Sequence, residues 1–167
     1  ISGGLMFDWG AHFIEYALQL LPGKVMEVSG FMHSGFWAPQ SSWKEDCIED
    51  EAFSLVRFDD GTYLQLKLSN LEANPKPGWL EVVGTKGSFL IQPESWIAYC
   101  QEPGGEVLRE GPVGEQQAYR FYQNIAAHLL GKADLIITAE YARRAIHIMD
   151  WTARSAKANR ALPVRYN

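Results

Sequence analysis

Apolar residues recur at three- and four-residue spacing in three parts of the chain, which is the periodicity of an amphipathic helix. The first helix is predicted over 8–21 and ends at Pro22-Gly23. The third is predicted to begin after Thr138, whose hydroxyl is a good N-cap acceptor. The predicted stripes of the second and third helices are Ala118, Phe121, Tyr122, Ile125 and Leu129, and Ala142, Ile146, Met149, Ala153 and Ala156.

Between the first two helices the pattern changes to the alternation of β-strands. The most regular part is a hairpin in which the turn Asp59-Asp60-Gly61 joins two strands. Residues 34–46 contain Gly, Pro and two Trp without any period, so they are predicted to form a long loop. The predicted strands are 25–33, 49–58, 62–70, 79–84 and 88–92, weaker ones at 96–100 and 106–108, and a short last strand at 162–166.

A helix followed by a run of strands and two helices predicts an α+β fold, with helices packed on one face of an open antiparallel sheet. In the hairpin, Tyr63, Gln65 and Lys67 alternate with leucines and are therefore expected on the other, uncovered face. A semi-polar sheet face with aromatic content is typical of subunit contacts. The sequence therefore predicts a homo-oligomer that forms through this face.

Length and composition narrow the class of protein. A chain of 167 residues is typical of one domain, and 47% hydrophobic with 21% charged residues is typical of a globular one. No apolar run approaches the roughly 20 residues of a membrane span. The net charge of −5 comes without a contiguous basic surface, which argues against a nucleic-acid partner.

The two cysteines, Cys47 and Cys100, follow no metal or redox spacing. The sequence therefore predicts neither a disulfide framework nor a zinc site, and a reducing cytoplasm is the expected compartment. The chain begins at Ile1 without Met or a signal-like segment, so it is expected to be part of a longer protein.

Candidate chemistry is concentrated at the start of the first helix. Asp8 and His12 are four residues apart, so their Cβ atoms are roughly 5–6 Å from each other on one helix face. Imidazole can pass a proton in either direction at neutral pH, and a neighbouring carboxylate can orient the ring or the substrate. Gly3 and Gly4 would leave room for a ligand at the helix start. From spacing alone, an Asp at a helix start is more often a cap and a His on a helix more often a structural residue, so this interpretation stands beside the catalytic one.

Two tryptophans of the long loop, Trp37 and Trp43, could stack on the apolar faces of a sugar or cyclitol. The alternative is that they pack on their own sheet or at a subunit contact. His33, His128 and His147 lack ligand-like partners and are interpreted as structural, and no metal site is predicted.

The segment "GGLMFDWGAHFIEYALQLLPG" resembles the G-G-x-x-x-D-x-G-x-H-x-x-D motif of the glucose-fructose oxidoreductase and inositol dehydrogenase family, Gfo/Idh/MocA. The segment "EDEAFSLVRFDDGTYLQLKLS" resembles the first sheet hairpin of that family, and "LEVVGTKGSFLI" resembles its next strand pair. The segment "TAEYARRAIHIMDWTARSAKANRALPV" resembles the closing helix and strand of the family. The similarity covers nearly the whole chain and keeps the order of the segments.

This resemblance implies that His12 is the acid/base of a hydride-transfer reaction on a sugar, cyclitol or related polyol, and that Asp8 assists it. The cofactor would be NAD or NADP, bound mainly by an N-terminal Rossmann domain that these residues lack, along with its catalytic Lys motif. No G-x-G-x-x-G follows a predicted strand here, so no cofactor-binding residue is predicted. Residues 1–167 are thus identified as the C-terminal substrate-binding and oligomerisation domain of a two-domain enzyme, inactive alone. Glu15 departs from the Asp that is usual in the family.

Two other interpretations of the same residues stay open. In one, the chain is a non-catalytic module of the same fold that serves ligand binding or assembly. In the other, the resemblance is of fold only, and Asp8 and His12 bind a metal for hydrolysis, which would require a third ligand.

Overall fold

The strands form two four-stranded antiparallel sheets, and three helices accompany them, in a computed structural model that describes residues 3–74 and 76–164. The α+β fold class is confirmed. The three helices are α1 (Leu5–Leu18), α2 (Tyr119–Leu129) and α3 (Ala139–Ala158). The strands are β1 (Val25–His33), β2 (Glu51–Phe58), β3 (Tyr63–Ser69), β4 (Leu80–Gly84), β5 (Gly87–Ile91), β6 (Ser95–Glu102), β7 (Gly105–Pro112) and β8 (Leu162–Pro163).

The sheets divide the chain into two compact units. The first sheet has the order β3-β2-β1-β8 and belongs to the unit of residues 1–72 and 137–167. The second has the order β4-β5-β6-β7 and belongs to the unit of residues 73–136. The strands predicted for one open sheet are therefore shared between two sheets, and β6 and β7 are longer than their weak sequence signals indicated. The prediction of a single domain over 1–167 stays a prediction.

The core of the first unit lies between its helices and its sheet. α3 packs against β1 and β2, and α1 packs against α3 and β3. The alternation in β1 and β2 places Val28 and Val56 in this layer, where both are fully buried. Other fully buried side chains of this core are Met6, Ile14, Ile148 and Met149.

The buried face of α3 differs from its predicted stripe. Thr138 is the N-cap as predicted, since its Oγ1 accepts a hydrogen bond from Tyr141 N at 3.1 Å. Met149 is buried as predicted, whereas Ile146 is 51% exposed. The face that packs on the sheet consists of Ala145, Ile148, Met149, Thr152 and Ser155. The predicted stripe was therefore wrong, because two hydroxyl residues belong to the buried face.

These hydroxyls are buried because they form hydrogen bonds with the sheet and the helix. Thr152 Oγ1 lies 2.8 Å from Ser54 Oγ and donates to the carbonyl of Ile148 at 2.8 Å. Ser155 Oγ accepts from Gly30 N at 2.9 Å and donates to the carbonyl of Arg160. Buried polar groups with such partners avoid the cost of unsatisfied burial. They fix α3 across β1 and β2.

The other face of the first sheet carries the residues that the sequence placed there. Tyr63, Gln65 and Lys67 are exposed. Phe31 of β1 is 58% exposed and contacts Phe53 of β2, with ring centroids 6.0 Å apart. This face is therefore a mixture of aromatic and charged side chains, as predicted from the alternation.

The second unit is an antiparallel meander followed by α2. Phe89 and Trp96 stack across β5 and β6, with ring centroids 5.6 Å apart. None of the described residues of α2 is buried, although its apolar stripe is present; Phe121, Tyr122 and Leu129 are exposed. None of the helices combines, over the residues that the structure describes, the length and apolar character that a membrane crossing requires.

Candidate functional site

The helix that carries Asp8 and His12 begins earlier than its sequence pattern indicated. It starts at Leu5 rather than Asp8, and Gly4 is its N-cap. Gly4 has no side chain to cap the helix, so a remote carboxylate does so: Glu49 Oε1 accepts a hydrogen bond from Met6 N at 2.7 Å. A carboxylate at this end also interacts favourably with the helix dipole.

Gly4 is required where Glu49 contacts the helix start. Its φ of 120° and ψ of 169° lie in a region that is essentially restricted to glycine. A Cβ at Gly4 would overlap the carboxylate of Glu49, lying 2.8 Å from Oε1. The space that the sequence assigned to a ligand is, at Gly4, occupied by this carboxylate.

Asp8 and His12 lie on successive turns of α1, and both side chains are exposed. No side-chain hydrogen bond joins either of them to another of the described residues. Trp9 is exposed next to them; its ring is 6.4 Å from that of His12 in an edge-on arrangement and 6.2 Å from that of Phe13. The structure thus places an imidazole and a carboxylate together on an accessible helix face, beside an aromatic ring that the sequence analysis did not single out.

The two loop tryptophans are brought together at one cavity. This cavity has a volume of about 750 Å³, and Trp37 and Trp43 are 43% and 69% exposed. Its described lining also includes Ser41, Asp46, Cys47, Ile48, Glu49, Asp50 and Asn70. The volume is within the range of small-molecule sites, and both tryptophans line the same cavity; their role in binding stays a prediction.

The buried Asp50 organises the loop around this cavity. Its carboxylate accepts hydrogen bonds from Phe36 N at 2.8 Å and from Trp37 N at 3.4 Å. Its own N–H donates to the carbonyl of His33, and its carbonyl accepts from Asn70 N. Asp50 therefore ties both ends of the loop to the sheet and fixes the backbone of Trp37.

Glu49 connects the cavity to the helix of Asp8 and His12. It lines the cavity, and it is the same carboxylate that caps α1 at Met6. Along the helix axis, Asp8 is about 3 Å and His12 about 9 Å from Met6. Sequence reasoning missed Glu49 because a cap supplied from 43 residues away leaves no local signal.

Two of the three other histidines, His128 and His147, have hydrogen-bond partners. His128 Nδ1 lies 3.0 Å from the carbonyl of Ala133. His147 Nε2 accepts a hydrogen bond from the Trp151 indole at 2.9 Å. Burial, followed by the positive charge of Arg143, lowers the pKa of His147 below its ordinary value of 6.5. Both histidines agree with the structural interpretation.

The described residues do not fit a dinucleotide cofactor. A pyrophosphate site of the Rossmann type needs a glycine-rich turn between a parallel strand and a helix. The glycine-rich segment around Gly105 instead forms β7 of an antiparallel hairpin with β6. Among the described residues there is also no group of three or more His, Cys, Asp or Glu side chains placed to hold a metal ion.

One prediction concerns the helix start. Replacing Gly4 by Ala should lower the free energy of unfolding by about 1–3 kcal/mol through backbone strain, with an added loss because the Cβ displaces Glu49. The matched control is Gly35→Ala, since Gly35 also has a positive φ, of 107°, but open space around its Cβ position. Denaturant unfolding measures both. Equal destabilisation of the two variants would contradict the contact between Gly4 and Glu49.

Comparison with known proteins identifies relatives of the chain. The family model described as the GFO/IDH/MocA C-terminal domain matches residues 1–90. Among curated proteins, none matches the sequence. Three solved structures share the fold over nearly the whole chain, at low sequence identity, and the chain spans about half the length of each.

The first is an NAD-binding protein from Listeria innocua, with 20% identity and a TM-score of 0.78, covering 96% of this chain and 48% of that one. The second is an oxidoreductase domain protein from Kribbella flavida, with 16% identity and a TM-score of 0.77, covering 98% and 51%. The third is the WlbA dehydrogenase from Bordetella pertussis in complex with NADH and UDP-GlcNAcA, with 17% identity and a TM-score of 0.62, covering 99% and 46%.

Proposed function

This chain belongs to the GFO/IDH/MocA C-terminal domain family, and from that premise we propose that it is the substrate-binding part of an NAD(P)-dependent oxidoreductase acting on a sugar, cyclitol or related polyol. The observation that carries the proposal is the position of Glu49. It lines the cavity of Trp37 and Trp43 and caps the helix of Asp8 and His12. One residue thereby contacts both the proposed binding cavity and the first turn of the helix that carries the proposed acid/base pair.

His12 is proposed to exchange a proton with the reacting hydroxyl or carbonyl group. When an alcohol is oxidised, its carbon loses a hydride and its oxygen loses a proton, and an imidazole is suited to accept the latter. Asp8, one turn earlier, orients His12 or accepts a hydrogen bond from a neighbouring substrate hydroxyl. The exposure of both side chains supports these roles, since each is accessible to a ligand.

The hydride acceptor is proposed to be NAD or NADP, bound mainly by a domain outside this sequence. Two of the similar structures support a nicotinamide cofactor, since one is an NAD-binding protein and the other holds NADH. The residues described here supply substrate binding and proton transfer. A cytoplasmic location also stays a proposal.

Trp37 and Trp43 are proposed to pack against the C–H faces of the polyol ring, while its hydroxyl groups donate to acceptors of the cavity wall. Aromatic rings provide apolar contact area, and carboxylates accept hydrogen bonds from hydroxyls. Asn70 and Ser41 add neutral polar groups to the same wall. The mixture of aromatic and polar groups supports a polyol ligand.

The open face of the first sheet is proposed to mediate self-association. Phe31→Glu should dissociate the oligomer, because it places a charge at the centre of an aromatic contact with Phe53. Ile146→Glu on α3 is the control, since Ile146 has similar exposure but lies away from that face. Light scattering measures the mass of each. A wild-type protein that is monomeric at high concentration would contradict the proposal.

The proposed function is tested with the protein encoded by the complete reading frame that contains this sequence. It is mixed with NAD or NADP and a panel of neutral sugars and cyclitols, and reduction of the cofactor is followed by absorbance. We expect reduction with at least one polyol, and its loss on replacement of His12. The proposal would be contradicted if neither NAD nor NADP is reduced with any polyol of the panel and neither cofactor binds to the protein.

A further inference from the structure

The charged groups along the cavity of Trp37 and Trp43 have one sign. Asp46, Glu49 and Asp50 line it, and none of the described lining residues is Lys, Arg or His. The basic side chain nearest in the sequence, Lys44, lines a separate cavity of about 390 Å³. Cys47 lines both cavities.

The three carboxylates differ in how many of their oxygens already accept hydrogen bonds from the protein. Both oxygens of Asp50 accept hydrogen bonds from backbone N–H groups of the loop, so this side chain is committed to the fold. Glu49 uses Oε1 for Met6 N, and its Oε2 accepts no hydrogen bond from another described residue. Asp46 is exposed. Glu49 is therefore the half-buried lining carboxylate whose second oxygen, which lies against Gly4, has no hydrogen-bond donor among the described residues.

A carboxylate in this position discriminates between ligands by charge. It can accept hydrogen bonds from the hydroxyl groups of a neutral sugar and still more strongly from an ammonium group. It repels a carboxylate or phosphate, and the repulsion is larger than in water because Glu49 is half-buried. Cap and selectivity are compatible, because Met6 N contacts one oxygen and the ligand would contact the other.

We infer that this cavity takes a polyol without an anionic group, a neutral or amine-bearing sugar or cyclitol, and that Glu49 sets this selectivity. The inference rests on the proposed function, since it names the substrate class of the same cavity. The WlbA dehydrogenase structure holds UDP-GlcNAcA; the wall described here offers no basic group that would pair with such an acid.

The test measures binding of three sugars that share a ring and differ in charge: D-glucosamine, D-glucose and D-glucuronate. Each is titrated into the complete protein by calorimetry, with tryptophan fluorescence as a second readout. We expect the dissociation constant to increase in the order glucosamine, glucose, glucuronate, with about a tenfold or larger difference between the first and the last.

Glu49→Gln is the decisive variant, because the amide keeps the shape and an oxygen that can accept from Met6 N. It should reduce the ratio of the glucuronate to the glucosamine dissociation constant by about tenfold. Glu51→Gln is the matched control, since Glu51 is close in sequence but pairs with Lys67, at 3.1 Å, rather than lining the cavity. Glu51→Gln should leave the ratio unchanged. A thermal unfolding profile like that of wild type confirms that Glu49→Gln is folded.

The inference would be overturned by glucuronate binding as tightly as glucosamine, by unchanged selectivity in Glu49→Gln, or by no binding of any of the three sugars. Glucuronate binding that is abolished by Lys44→Met would place the anion at the neighbouring cavity and would also count against it. The proposed function fails separately, through the absence of cofactor reduction while the charge order of binding is retained. If glucuronate binds more tightly than glucosamine while cofactor reduction is normal, the proposed function stands and the inference about charge selectivity is contradicted.

Discussion

His12→Ala should reduce kcat/KM of the complete protein in the proposed reaction by about 10²–10⁴-fold, the contribution typical of a positioned general acid/base. The loss is expected in kcat rather than in the dissociation constant of the polyol, because His12 is proposed to act on the reacting oxygen and the cavity of Trp37 and Trp43 is proposed to supply binding. Steady-state kinetics together with direct binding of the sugar separate the two effects.

The matched control for this prediction is His33→Ala. His33 is also exposed and also belongs to the first unit, but it is at the end of β1. Its replacement should leave kcat/KM within about twofold, because only its backbone carbonyl contacts Asp50 and it is not among the described lining residues of the cavity. If His12→Ala behaves like His33→Ala, the chain is better described as a non-catalytic ligand-binding or assembly module of the same fold.

Gly30→Ala should be among the most destabilising single substitutions in the chain. A Cβ at Gly30 would overlap the backbone carbonyl of Thr152. α3 cannot easily retreat, because Ser155 Oγ accepts from Gly30 N and Thr152 bonds to Ser54. Overpacking of this kind costs about 1–3 kcal/mol and sometimes more, and the added loss of the Ser155 hydrogen bond places this variant at the upper end.

The control is the adjacent Ser29→Ala, which lies on the opposite face of β1 and should change the free energy of unfolding by less than about 0.5 kcal/mol. If Gly30→Ala does not accumulate as folded protein, Ser155→Ala tests the same contact between α3 and β1 with a smaller expected loss of stability. It removes the acceptor of Gly30 N and should cost about 1–3 kcal/mol. Denaturant unfolding measures the stability of all three variants. If the three are equally stable, α3 does not pack on β1 as described.

Regular periodicity made most of the fold predictable from the sequence. The hairpin of β2 and β3 was clear because leucines alternate with polar residues around a tight turn. The helix start at Leu5 and the buried face of α3 could not be predicted, for related reasons. Glu49 stabilises the first turn of α1 from a distant part of the chain, and Thr152 and Ser155 are buried because their hydroxyls find partners on the sheet. Hydrophobic patterns contain no information about such long-range hydrogen bonds.

The candidate site was predictable in its parts but not in its connections. Asp8 and His12 were identified by spacing and by resemblance, and Trp37 and Trp43 by residue type within an irregular loop. The sequence did not reveal the common cavity of Trp37 and Trp43, the role of Asp50 in holding the loop, or the link through Glu49. These features depend on contacts between segments far apart in sequence. Gly4, interpreted from the sequence as space for a ligand, instead accommodates the carboxylate that makes this link.

The most direct measurement is the crystal structure of the complete protein with its nicotinamide cofactor and a polyol that it turns over. The account predicts that the polyol ring lies against Trp37 and Trp43, and that its reacting oxygen is within about 2.6–3.2 Å of a ring nitrogen of His12. A polyol bound away from that cavity, or with its reacting oxygen beyond the reach of His12, would contradict the account.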